Sequence, residues 1–212
     1  MKEFLSPGRY VDSDRPDVIA FARKHVKGST DVERAVSLYY AVRDAIRYNP
    51  FLDFSKDESF RGSVCLQQGE GFCIGKAALL AACARVVGIP ARVGFADVKN
   101  HLTSPRLAET MGSDLFVYHG YTDLRIDGKW VKATPAFNLE LCRRFRVKPL
   151  EFDGVTDSIF HPFDQDERRH MEYLRDRGVY ADVPVDEIQQ AFRDAYPKFY
   201  SLGADAAKES FG

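Results

Sequence analysis

The sequence predicts an α+β fold in which a central helix, headed by a cysteine, packs on an antiparallel sheet and further helices follow towards the C-terminus. Three observations predict it. From Cys73 to Val87 the chain is dense in Ala and Leu and is closed by Gly88 and Pro90, the pattern of a buried helix. Beyond it, strand patterns succeed one another with no helix between them. Helical patterns come before and after this block rather than alternating with strands, which disfavours a parallel doubly wound sheet.

In chain order, Pro16 follows an acidic candidate cap at Asp14, and Val18, Ile19, Ala22 and Val26 recur at helical spacing until Gly28. Thr30-Asp31-Val32-Glu33 is a capping-box pattern, and an apolar stripe carries a second helix to about Arg47. Asn49-Pro50 stops it, and residues 49–71 read as a surface loop. After the central helix come strands over Ala91–Val98, Leu115–Ile126 and Lys129–Thr134, the last two joined as a hairpin through Asp127-Gly128. Helical patterns return over Asp164–Arg177 and Val185–Phe199, separated by Gly178 and Pro184. No repeat, low-complexity tract or separating linker interrupts the pattern, so residues 1–212 read as one domain with a helical extension over about 160–212.

Thirty basic residues stand against 31 acidic ones. A balance this even supplies no field to recruit nucleic acid or an anionic membrane. No run of about 20 apolar residues and no signal-peptide pattern is present, so a cytoplasmic location is the default expectation. Cys65, Cys73, Cys83 and Cys142 are irregularly spaced in a chain too large to need a disulfide scaffold, so reduced thiols are expected. No CxxC or HxxxH spacing accompanies Cys65 and Cys73, so no metal site is expected.

Gly69-Glu70-Gly71-Phe72-Cys73-Ile74-Gly75-Lys76 places a thiol where a glycine-bearing loop becomes the first turn of a helix. Unpaired N–H groups and the positive dipole end there favour thiolate, and the same N–H groups face a developing oxyanion. Cys83 lies mid-helix and reads as structural, while Cys65 and Cys142 have no catalytic context. Lys76 either adds positive potential or is a solvated surface lysine. A thiol nucleophile needs a base, and of five histidines His119 alone opens a strand whose hairpin pairing would hold its ring against the central helix. His25 sits on a surface helix, His101 and His161 in loops, and His170 among charges. Gln67 and Gln68 are candidate oxyanion donors, or simply solvated loop glutamines.

The segment GEGFCIGKAALLAACARVVGIPARVGF resembles the nucleophile segment of the transglutaminase-like superfamily, with Gly, Cys and a small residue ahead of an Ala-rich helix and G-I-P-A-R. Tyr118-His119-Gly120-Tyr121-Thr122-Asp123 resembles that family's H-x-W-x-E strand, and Gly128-Lys129-Trp130-Val131 its G-x-W-V strand. The resemblance spans about 31–138. It implies a papain-like transglutaminase core, Cys73 as nucleophile, His119 as base and no cofactor. Calcium dependence belongs to only some relatives, and no EF-hand-like loop is present. One position departs from the family pattern: where an aspartate commonly orients the histidine, this chain has Thr134. A hydroxyl or amide can accept the imidazole hydrogen bond instead, so Thr134 and Asn138 are the candidate orienters.

These readings converge on thiol-dependent acyl transfer from a peptide, protein or small amide, ending in hydrolysis or transamidation. The alternatives are a decayed binding or scaffold domain and an acyltransferase fed by a thioester donor such as coenzyme A. Phe51–Phe60 and Phe145–Phe163 are the aromatic stretches available to wall or cover a cleft.

Overall fold

In the computed structural model, residues 1–100, 109, 112–159 and 171–197 are described. Helix α1 (Pro16–His25) begins with proline at its first position, where the missing N–H costs nothing. Helix α2 (Asp31–Ala45) opens on the expected capping box. Thr30 Oγ1 accepts the Glu33 N–H at 3.2 Å, and the Glu33 carboxylate accepts the Thr30 N–H at 3.1 Å.

The expected loop over 49–71 holds more structure than its composition suggests. Strand β1 (Arg47–Tyr48) pairs in parallel with β2 (Glu70–Gly71), and between them lies helix α3 (Gly62–Gln68). Seven residues are too few to show a helical period. Packing makes the helix instead: a Cβ on Gly62 would come within 3.0 Å of the Leu79 backbone, so glycine lets α3 press directly onto the central helix.

Helix α4 (Cys73–Val86) is that central helix, and every residue from Cys73 to Arg85 is buried. A helix apolar on all sides must be covered on all sides. Helices α1, α2 and α3 pack on it, and strands β3 and β4 pack against it as well.

Strands β3 (Ala91–Asn100), β4 (Leu115–Ile126), β5 (Lys129–Ala133) and β6 (Met171–Tyr180) form an antiparallel sheet in the order β5-β4-β3-β6. The β4–β5 turn has positive φ at both Asp127 (49°) and Gly128 (79°), the type I′ signature. The helix expected over Asp164–Arg177 is corrected where it is described: residues 171–177 are strand, and 164–170 lie outside the described residues. The free edge of β3, paired from Val93–Tyr180 to Asn100–Met171, overrides the local helical pattern. Helix α5 (Leu139–Phe145) fills a stretch with no expected element. Helix α6 (Val185–Ala195) appears where the second C-terminal helix is expected but ends at Ala195, and residues 198–212 lie outside the described ones. No helix among the described residues is long and apolar enough to cross a membrane.

Candidate active site

Cys73 is the first residue of α4 and is entered from strand β2 through the extended Phe72 (φ −93°, ψ −178°), so it sits at the helix end that presents free N–H groups. The glycines before it are not a flexible loop. Gly69 caps α3 in the left-handed region (φ 65°), and Gly71 lies so close to Cys65 that a Cβ would meet its sulfur at 2.4 Å.

The thiol is 8% exposed and lines a cavity of about 40 Å³ with Tyr48, Pro50, Phe54, Phe72, Phe116, Val117, His119, Phe192 and Tyr196. Cys73 and His119 are thus brought to one cavity. Burial pushes the Cys73 thiol up to about 11, although the N–H groups of Gly120, Ile74 and Cys73 itself pull it down. The backbone N–H groups at the helix terminus do favour thiolate, as expected, but burial opposes them and is the larger effect.

His119 lies inside β4 rather than at its start, 3% exposed and opposite Ala96. One residue earlier the register slips: Ala96 faces His119 and Val98 faces Phe116, so β4 carries one extra residue. Tyr118 absorbs it at φ 53°. This is a bulge, a device that re-aims the side chain beside it. The Asp97 carboxylate holds it, accepting the Tyr118 N–H at 3.1 Å and the Arg177 guanidinium at 2.8–3.0 Å, while that guanidinium stacks 4.8 Å over the Tyr118 ring. On the other side of His119, a Cβ on Gly120 would sit 3.0 Å from the Ile74 Cα, so only glycine lets β4 approach the first turn of α4. Thr122 secures the contact two residues on, its hydroxyl donating to the Ala77 carbonyl at 2.8 Å.

Thr134 follows β5 and shares with His119 a second cavity of about 10 Å³, also lined by Ala136, Phe137, Leu150, Ile159 and Met171. Its hydroxyl donates to the Ile159 carbonyl at 3.0 Å, which leaves the oxygen lone pairs as acceptors. Asn138 is directed elsewhere: its side-chain oxygen accepts the Tyr48 N–H at 3.1 Å and so fixes a wall of the thiol cavity. Gln67 and Gln68 are exposed at the end of α3, where Gln67 donates to Asp17 at 2.8 Å, and neither lines the thiol cavity.

Lys76 is not a solvated surface lysine. It is fully buried, and its amine donates to the carbonyls of Arg43 (2.9 Å) and Ile46 (2.6 Å) at the end of α2. Burial pulls its pKa down to about 7. Cys65, Cys83 and Cys142 are buried free thiols pushed upward by desolvation. Of the aromatic stretches, Phe54 reaches the cavity and stacks 4.7 Å from Phe72 and 5.2 Å from Phe192. Asp123, in the acidic position of the strand motif, is paired with Arg92 at 2.7 Å. His101, His161, His170 and residues 160–163 lie outside the described residues.

Sequence patterns pass over Phe192, Tyr196, Asp97 and Arg177, which reach the site from distant segments. Gly120, directly after the histidine inside a strand, is the one local signal, since a strand glycine marks a close backbone approach.

The family model described as the transglutaminase-like superfamily matches residues 19–135. Among solved structures, the chain is similar to a putative cysteine protease from Cytophaga hutchinsonii, at 16% identity and TM-score 0.47 over 84% of this chain and 53% of that one. It is also similar to a putative protease from Parabacteroides distasonis ATCC 8503, at 16% identity and TM-score 0.40 over 56% of this chain and 23% of that one. A third similar structure is a TGase, at 18% identity and TM-score 0.39 over 56% of this chain and 29% of that one. The chain therefore spans between about a quarter and about half of these proteins. A comparison with curated proteins finds no match.

Proposed function

We propose that this chain, which belongs to the transglutaminase-like superfamily, is a thiol-dependent acyl-transfer enzyme acting on an amide or peptide, with Cys73 as nucleophile and His119 as general base and acid. The observation that carries the reading is the shared apolar cavity of Cys73 and His119. Because burial disfavours a free thiolate, His119 is proposed to take the thiol proton as the S–C bond forms. The carbonyl oxygen gains the negative charge, and the N–H groups at the head of α4 are the proposed donors that stabilise it. The C–N bond then breaks, with His119 returning its proton to the departing amine. Water or a second amine resolves the thioester. Thr134 is the proposed acceptor that orients the imidazole, since it lines the small cavity beside His119.

The test is turnover of fluorogenic peptide amides, with the acyl adduct on Cys73 located by mass spectrometry. Cys73→Ala abolishes both signals, and His119→Ala lowers turnover at least ~100-fold, the lower range for general acid–base catalysis. Turnover indifferent to both substitutions overturns the reading. A second reading, the non-catalytic scaffold domain, is favoured by one observation: a thiol held near 11 is a poor nucleophile without assistance. It predicts no Cys73 adduct with any acyl donor, thioesters included.

A further inference from the structure

The walls of the thiol cavity come from segments far apart in the chain: Tyr48 from β1 and Pro50 just after it, Phe54 from the connection to α3, Phe116 and Val117 from β4, Phe192 from α6 and Tyr196 directly after it. Aromatic rings therefore already fill most of the space beside the sulfur. Phe54 lies 5.2 Å from Phe192, and Phe192 lies 5.6 Å from Tyr196, ring centre to ring centre. About 40 Å³ remains. A cavity of about 150 Å³ takes benzene, and about 10–15 Å³ takes a single water. The enclosed part of this half-open cleft beside Cys73 is thus too small for an aromatic ring and ample for a few carbons.

Its polarity points the same way. No Asp, Glu, Lys or Arg lines it among the described residues. The Tyr196 hydroxyl is engaged with backbone, accepting the Val117 N–H at 2.6 Å and donating to the Leu115 carbonyl at 2.8 Å. A charged substituent entering this cavity would lose its hydration with, among the described lining residues, His119 alone as an ionisable partner.

We infer that the acyl donor of this enzyme carries a short aliphatic group of about one to three carbons next to the reacting carbonyl, seated in this cavity, and that Phe192 and Phe116 set its upper size. The inference rests on the thiol-enzyme reading. Acylation forms the bond from the Cys73 sulfur to the acyl carbon and breaks the carbonyl's bond to its leaving group, which departs with the proton held by His119.

The test acylates the full chain with p-nitrophenyl propionate, benzoate and hemisuccinate. Release of p-nitrophenolate is timed, the adduct is mapped by mass spectrometry, and each rate is divided by that of the same ester with N-acetylcysteine. Propionate is expected to modify Cys73 at least ~10-fold faster than either other ester, the lower range for size discrimination by an apolar pocket. Phe192→Ala is expected to raise the benzoate rate relative to propionate, and Phe116→Leu to do so more weakly in a more conservative background. Equal rates in the wild type, or a ratio that neither variant moves, overturn the size inference and leave the thiol reading standing. Absence of any Cys73 adduct overturns both.

Discussion

Tyr118 occupies a backbone region that side chains other than glycine rarely adopt, and it immediately precedes the histidine of the site. Strain of this kind persists only where surrounding contacts impose it. Those contacts are the Asp97 carboxylate, which accepts the Tyr118 N–H, and Arg177, which neutralises that carboxylate through a two-pronged hydrogen bond. Asp97→Ala therefore leaves the Tyr118 N–H unpaired and releases the bulge that aims His119. Turnover is expected to fall ~100-fold, the loss typical of about 1 Å of misplacement. Asp97→Asn keeps an oxygen acceptor for that N–H and is expected to recover most of kcat, whereas a merely structural loss would show equally in both variants' melting curves. The thiol carries a prediction of its own. Its pKa is raised to about 11, so iodoacetamide labelling of Cys73 is slow at pH 7 and climbs between pH 8 and 11 as the thiolate fraction grows. A labelling rate already at its plateau below pH 7 would sink this account of the resting state.

Between elements, the contacts of α4 with α2 and β4 place the sulfur. Lys76 satisfies two carbonyls that the end of α2 would otherwise leave unpaired, at the cost of desolvating an amine. Its pKa falls from 10.5 to about 7, so between those values the unfolded chain binds more protons than the folded one. Stability from this group therefore rises with pH across that window and is lowest below pH 7. The span corresponds to on the order of 5 kcal/mol. Lys76→Met is expected to flatten that rise in urea unfolding followed from pH 7 to 10, while losing both hydrogen bonds. On the other face, Gly120→Ala forces a methyl group against Ile74 and is expected to cost about 1–3 kcal/mol in the same measurement, with activity falling further than stability. The helix carrying Cys73 and the hairpin through Asp127-Gly128 are legible in the sequence because composition and turn chemistry are local. The chain does not display Met171–Tyr180 as a strand, because the partner that makes it one is the edge of β3, more than 70 residues earlier. The same applies within the site: His119 is legible from its strand, whereas its aim depends on Asp97 and Arg177, and the burial of Lys76 depends on where α2 ends.

Across the whole molecule, the chain outside residues 19–135 completes the cavity that holds the thiol. Phe192 and Tyr196 wall the thiol cavity, and the larger apolar core cluster runs from Tyr10 to Tyr196. Two polar clasps tie the N-terminal segment to the connection ahead of α6. The Asp182 carboxylate accepts the backbone N–H groups of Arg9 (2.6 Å), Tyr10 (3.2 Å) and Val11 (2.8 Å). Buried Arg85, near the end of the helix that starts at Cys73, donates to the carbonyls of Ser6, Ala91 and Ala181. Hydrogen bonds to a charged acceptor contribute about 1.5–3 kcal/mol each, and here three donors converge on one carboxylate. Asp182→Ala removes that acceptor and is expected to cost about 2–4 kcal/mol in urea unfolding, because Tyr10 and Val11 are buried and water cannot fully replace the carboxylate. The clasp lies next to α6, which carries Phe192, so its loss also loosens the wall proposed to limit the size of the acyl group. Asp182→Ala is accordingly expected to weaken the preference for propionate over benzoate while Cys73 and His119 remain unchanged. A variant with lowered stability but an unaltered ester ratio would separate the clasp from the cavity and assign it to folding alone.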